Sequence, residues 1–231
     1  ASTIKYAPQI ERVVITSSYA AVFNPERELD PNYVITEKSW NETKYEDAKA
    51  NAFVGYLTSK ALAERAAWDF LRENKPHFAL STVNPSYVFG PQAFDSELKE
   101  TLNTSSEIIN SILKLKPDDK IPANKGGFID VRDVAKAHLV AFEDNKTVNK
   151  RLLLTNKKFH TQLIADIIND NFPSIKGKIP IGTRGSGKQR TKKMAHVDNL
   201  ETKRLLGFEF IDLEKTVVDS VSQIIRVKSK L

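Results

Sequence analysis

The sequence predicts an α/β fold. Two apolar runs of strand length flank a long amphipathic segment, and strand-like and helix-like stretches alternate down the rest of the chain. Residues 12–18, Arg-Val-Val-Ile-Thr-Ser-Ser, are apolar until they close on small hydroxyl side chains. This is the pattern of a buried parallel strand that delivers polar groups at its C-terminal end. A polar stretch holding Pro25 and Pro31 follows. Phe53, Tyr56, Leu57, Lys60, Ala63, Ala67, Phe70 and Leu71 then recur at three and four, which predicts a helix over 52–74 with that set as its buried stripe, closed by Pro76. Residues 78–83 read as a second buried strand, broken by Asn84-Pro85.

Further along, 104–115 reads as helix. A short strand at Phe128-Ile129 precedes Asp130, which caps a helix to about 142 with Val131, Val134, Ala135, His138, Leu139 and Phe142 as its buried stripe. Residues 151–155 are a further strand, and 161–171, 198–206 and 212–227 are helices, the middle one stopped by Gly207. There is no internal repeat. Between 176 and 193 lie Lys176, Lys178, Arg184, Lys188, Arg190, Lys192 and Lys193 with no acid among them, and much of the net charge of +6 is concentrated there. Such a run raises nucleic acid or an anionic cofactor as partner, but in a Gly/Ser-rich segment it predicts a solvated loop.

Several classes are excluded or disfavoured. No stretch approaches the roughly 18 apolar residues of a membrane helix, and the opening residues lack the apolar core of a secretory signal. With no cysteine there is neither disulfide nor thiolate metal site, so a reducing cytoplasm is the expected location. The only methionine is Met194, which leaves two expectations: trimming before Ala1, or a start inside a longer protein. The segment from Gly182 to Lys188 nearly spells a P-loop, but Gln189 stands where the Mg²⁺-binding hydroxyl belongs. His77, His138, His160 and His196 are scattered, so no metal site is expected.

The chemistry begins with Tyr56 and Lys60. Four residues apart on a helix, they emerge on one face about 6 Å apart. A free phenol, with a pKa of about 10, is a poor proton donor near neutrality, and a neighbouring ammonium favours the phenolate. Taken alone, the pair also fits an ordinary amphipathic helix. Ser18 adds a hydroxyl where a parallel strand ends, the place where ligands bind in open α/β sheets, although Ser17 and Ser18 equally suit local backbone bonding.

Four ordered blocks then carry a resemblance: Thr16–Phe23 (TSSYAAVF), Tyr56–Lys60 (YLTSK), Asn84–Gln92 (NPSYVFGPQ) and Phe128–Leu139 (FIDVRDVAKAHL). The chain resembles the extended short-chain dehydrogenase/reductases, in particular their methylglyoxal-reductase and dihydroflavonol-reductase-like carbonyl reductases. The resemblance implies that Ser18 polarises a substrate carbonyl, Tyr56 gives it a proton, and Lys60 tunes the tyrosine and holds the nicotinamide ribose of NADP. It further implies that Pro85 and Val88 lie along the nicotinamide and that Ser105 lies near the cofactor phosphates. Tyr19, Phe23 and Tyr87 are candidates for the substrate wall, and as core aromatics they would be equally ordinary.

The family's glycine-rich turn, G-x-x-G-x-x-G or G-x-G-x-x-G after a strand, is absent from the 231 residues. The expected architecture is therefore the C-terminal part of a Rossmann-like, doubly wound parallel sheet over 1–95. A smaller, mostly helical substrate-binding region over 96–231 follows, with 128–155 returning to the sheet. N-terminal βαβ units are expected to be missing, leaving weak NADPH binding and exposed apolar sheet edges. The expected activity is NADPH-dependent reduction of an aldehyde or ketone. The alternative is a catalytically inactive, truncated relative acting as a binding or structural module. The expected partner is a small carbonyl compound, with no nucleic acid and no membrane, and a homodimer is left open.

Overall fold

In this computed structural model, which describes residues 2–228, a short helix α1 (Ser2–Tyr6) precedes strand β1 (Arg12–Thr16), where four successive β-branched residues, Val13 to Thr16, favour extended backbone. Then come β2 (Val34–Ile35), α2 (Ala52–Asn74), β3 (Ala79–Pro85), β4 (Tyr87–Phe89), α3 (Thr104–Ile112), β5 (Lys125–Asp130) and α4 (Val131–Glu143). The remainder is β6 (Arg151–Leu154), β7 (Lys157–His160), α5 (Thr161–Asn171), α6 (Ser186–Thr191), β8 (His196–Val197), α7 (Leu200–Leu206) and α8 (Leu213–Lys228). These elements fall into two compact units, one of residues 2–86, 134–154 and 195–209, the other of 87–133, 155–194 and 210–228. The division thus lies after Ser86, earlier than the expected boundary at 95, and the chain revisits the first unit twice.

In the first unit β3 lies between β1 and β6, parallel to both. Thr16 pairs with Val83, and Ser17 N–H donates to Val83 O at 2.8 Å, so β1 and β3 end side by side. The Asn84-Pro85 step does not break β3: both residues pair with β6, Pro85 is the last residue of the strand, and Ser86 N–H carries the pairing on by donating to Leu154 O at 3.0 Å. Ala20, Val22, Phe23, Ile35, Leu57, Leu153 and Ala195 form a core beside this sheet. The expected stripe of α2 is corrected. Leu57, Thr58, Ala61 and Glu64 are its buried residues, while Phe53 and Tyr56 are exposed, because Thr58 and Glu64 find polar partners inside. The stripe of α4 is corrected likewise: Ala137 and Ala141, small enough for close approach, are buried, and Leu139 and Phe142 are 60% and 61% exposed.

The second unit holds the helices α3, α5, α6 and α8 and also carries its own sheet, with β5 parallel to β4 and antiparallel to β7. Of the stretch 128–155, therefore, only β6 joins β1 and β3, and β5 belongs here. Phe89 packs on Phe128 (6.1 Å between centroids) and edge-on to Phe159 (4.8 Å), and the helices α3, α5 and α8 cover this cluster with Ile109, Ile112, Ile164, Ile168, Val217 and Val221. Gly126 is required in β5, since a Cβ there would come within 2.8 Å of the Tyr87 ring. The basic segment, expected as loop, contains the one-and-a-half-turn helix α6. A Cβ on Gly187 would lie 2.6 Å from Leu163 N, so this glycine serves close packing on α5, and Arg184 pairs with Asp170. No helix among the described residues is long and apolar enough to cross a membrane. No group of three or more His, Asp or Glu among them is placed to hold a metal ion.

Phe159, fully buried between Tyr87 and Phe89, anchors the second core. Phe159→Ala is expected to lower unfolding free energy by about 3–5 kcal/mol, read as a lower urea midpoint. A midpoint unchanged within error would contradict this packing.

Candidate active site

Where β1 ends, Ser18 adopts extended backbone (φ −159°, ψ 153°) and caps the 3₁₀ turn Tyr19–Ala21, its Oγ accepting from Ala20 N–H at 3.1 Å. With a lone pair so occupied, the Ser18 proton is left to be given away. Tyr56 reaches the same spot from α2. The helix starts at the Asn51 cap, whose Oδ1 accepts from Val54 N–H, and Gly55 admits the 3₁₀ turn Tyr45–Lys49, for a Cβ there would lie 3.0 Å from Ala48 O. The Tyr56 hydroxyl stands 3.4 Å from Ser18 Oγ, and its side chain is half open to solvent. Two hydroxyls at that spacing can both bond one oxygen atom at about 2.8 Å from each. Lys60, one turn on, is half-buried and has no hydrogen-bond or ion-pair partner among the described residues.

Beneath this pair lies a buried charge that hydrophobic periodicity does not reveal. The Glu64 side chain is 0% exposed. Its Oε1 accepts from Arg151 Nε at 2.6 Å and Trp68 Nε1 at 3.2 Å, and its Oε2 accepts from Ser17 Oγ and Asn84 Nδ2, each at 2.5 Å. Thr82 Oγ1 is in reach of Glu64 Oε1 (3.1 Å) and Asn84 Oδ1 (2.9 Å) and can donate to only one of them. Burial by itself pushes the Glu64 carboxyl up. The Arg151 charge and the hydrogen bonds from Arg151, Ser17 and Asn84 outweigh it and hold the group below the usual carboxylate range. Asn84 Nδ2 also donates to Ser18 O at 3.1 Å. A pattern of four-residue steps, Tyr56, Lys60, Glu64, is the sequence signal that points to this carboxylate.

The other expected residues divide. Tyr19 and Phe23 stack at 5.4 Å, Phe23 within the first core and Tyr19 packed against it, rather than forming an open wall. Burial, then the charges of Glu28 and Tyr33, push the Tyr19 phenol up, so it stays protonated near neutrality. Pro85 is buried at the end of β3. In the second unit, Val88 lies in β4, Tyr87 packs edge-on to Phe159, and Ser105 is in the first turn of α3, whose cap is Asn103. His138 is half-buried on α4: its Nδ1 lies 2.8 Å from Val134 O and so carries the hydrogen, which leaves Nε2 to accept from Thr16 Oγ1 at 2.7 Å.

Residues 3–153 match the family described as the NAD dependent epimerase/dehydratase family. The chain is 48% identical over 230 residues to the NADPH-dependent methylglyoxal reductase GRE2 of Saccharomyces cerevisiae, covering 98% of this chain and 67% of that protein. It is 50% identical over 220 residues to the putative NADPH-dependent methylglyoxal reductase GRP2 of Candida albicans, covering 95% and 64%. Among solved structures, Gre2 of Candida albicans in complex with NADPH matches with a TM-score of 0.95 at 54% identity, over 98% of this chain and 67% of that one. The yeast methylglyoxal/isovaleraldehyde reductase Gre2 complexed with NADPH matches at 0.96 and 48%, over 100% and 68%. The chain thus spans about two thirds of the length of these relatives.

Because the folded-state pKa of Glu64 is depressed, its contribution to stability is present above the unfolded carboxyl value and is lost as pH falls through the folded one. Urea midpoints measured from neutrality down through the carboxylate range should therefore fall with acid. Glu64→Gln should flatten that dependence; an equally steep curve in the variant would show that Glu64 is not the group responsible.

Proposed function

The chain belongs to the NAD dependent epimerase/dehydratase family, and from that membership we propose that its residues reduce an aldehyde or ketone to an alcohol with NADPH as reductant. The observation that carries this reading is the approach of Ser18 Oγ and Tyr56 Oη to 3.4 Å at the C-terminal end of a parallel sheet. The names of the relatives, NADPH-dependent methylglyoxal reductases, favour NADPH and an α-dicarbonyl or a similar small carbonyl substrate.

NADPH, when bound, supplies the hydride. As the carbonyl is reduced, negative charge grows on its oxygen. Ser18 and Tyr56, donating from two elements held in place beforehand, stabilise that charge more than the neutral ground state. Tyr56 then gives up its proton, and the Lys60 ammonium, on the same face of α2, favours the phenolate left behind. The half-buried Lys60, with donors uncommitted, also suits the ribose hydroxyls of the nicotinamide end. The fit covers that end: the 231 residues hold no glycine-rich turn that would admit a pyrophosphate, so these residues alone are expected to bind NADPH weakly. A second reading is a relative without catalysis that serves as a binding or structural module.

NADPH oxidation by the full-length gene product against a panel of aldehydes, ketones and α-dicarbonyls decides between the two. Under the reductase reading, Tyr56→Phe lowers kcat/KM by about 10²–10⁴-fold, and Ser18→Ala and Lys60→Ala lower it as well. No turnover of any carbonyl by the wild-type protein would favour the second reading, and full activity in Tyr56→Phe would remove Tyr56 as the proton donor.

A further inference from the structure

A fully buried carboxylate costs several kcal/mol to desolvate, and a well-packed apolar side chain can often replace a buried ion pair without loss of stability. The charge of Glu64 therefore asks for a use beyond holding α2 on the sheet. Its two shortest bonds outside the Arg151 pair go to Ser17 Oγ and Asn84 Nδ2, both 2.5 Å. Both partners bear directly on Ser18. Ser17 is its chain neighbour, and Asn84 spends its second amide hydrogen on Ser18 O at 3.1 Å. An amide can sit either way round in its plane, but turning Asn84 over would set its oxygen against the carboxylate of Glu64 and against the carbonyl of Ser18. The negative charge of Glu64 thus decides which way Asn84 faces, and Asn84 decides where the Ser18 carbonyl, and with it the Oγ, is held. Glu64 also stands two helical turns beyond Tyr56 on α2, so the same carboxylate fixes the helix that carries the second donor.

Resting on the reductase reading, we propose that Glu64 is a positioning residue for carbonyl reduction: through Asn84 and Ser17 its charge holds Ser18 Oγ where it and the Tyr56 hydroxyl meet one substrate oxygen. Glu64 touches neither substrate nor cofactor in this scheme. Its effect is on geometry, and a misplacement of about 1 Å at a reacting centre lowers rate by as much as 10²-fold.

The test uses the full-length gene product with Glu64→Gln, which keeps the shape and removes the charge, and Asn84→Ala, which cuts the same link should the first variant fail to fold. With methylglyoxal as substrate, kcat is expected to fall about 10- to 100-fold while KM for the carbonyl changes little. The double variant should be no slower than the worse single one, since the two residues act as a unit. The isotope effect with deuterated NADPH should rise, because the chemical step becomes slower relative to release of product. Partial unfolding would lower the apparent kcat but leave that isotope effect unchanged, so an unchanged isotope effect overturns the proposal. Crystal structures of the variants supply a readout that does not depend on turnover: the separation of Ser18 Oγ and Tyr56 Oη is expected to leave hydrogen-bond range. If the wild-type protein reduces no carbonyl, the reductase reading fails on its own, and an undisturbed Ser18–Tyr56 geometry in both variants would sink the positioning role separately.

Discussion

The first unit is organised around one buried ion pair, Glu64 with Arg151. The two residues are far apart in sequence, one on α2 and the other opening β6, and their side chains meet at 2.6 Å, with the Glu64 carboxylate fully buried. A carboxylate there is tolerable only if every oxygen is met by donors, and the surroundings meet that demand. Ser17 comes from the end of β1, Asn84 from the end of β3 and Trp68 from α2 itself. On the other side Arg151 Nη1 donates to Glu37 O and Ser39 O, and its guanidinium lies 3.8 Å from the Trp40 ring, so the loop before α2 is held by the same charge. Strand ends, helix and loop thus take their places around one pair of charges, of which only Arg151 Nη2 is left without a hydrogen-bond partner among the described residues, and the two hydroxyls above it inherit that order.

The second unit reaches order by a different route. Its centre is aromatic and aliphatic, the Phe89–Phe128–Phe159 cluster, and the fully buried Asp130 is held at the edge of that core by Arg132, which also reaches Asp219 on α8. Thr216 gives Asp130 a further hydrogen bond. There the charged cluster ties the end of β5 to α8, a mechanical role, whereas in the first unit the charged cluster lies directly under candidate chemistry.

How much of this was legible in the sequence depended on whether a local period carried it. The helix 52–74 and the facing of Tyr56 and Lys60 follow from helical spacing and from the break before Pro76, and the strands at 12 and 79 follow from short, largely apolar runs. The buried face of α2 did not follow, because it includes Glu64, whose partner Arg151 stands 87 positions away and whose burial no hydrophobic pattern can signal. The strand β7 begins with two lysines and carries no apolar run to signal it, yet it pairs antiparallel with β5, with Phe159 and His160 buried. α6 escaped notice because a glycine, Gly187, fixes it by close packing on α5 rather than by an apolar stripe. In the candidate site the proposed donors were visible and their support was not: Ser18 and Tyr56 stand out by their hydroxyls and spacing, whereas Asn84 and Ser17 meet Glu64 through contacts that exist only after folding.

The chain has two tryptophans, and both lie on this one ion pair: Trp68 donates its indole N–H to Glu64, and the Arg151 guanidinium stands over the Trp40 ring. All of the indole emission of the molecule therefore originates beside the same two charges. Whatever loosens that junction, whether heat, acid or a ligand that draws on Ser18, changes the colour and yield of the intrinsic fluorescence, so the molecule carries an optical gauge of its own centre without any label attached.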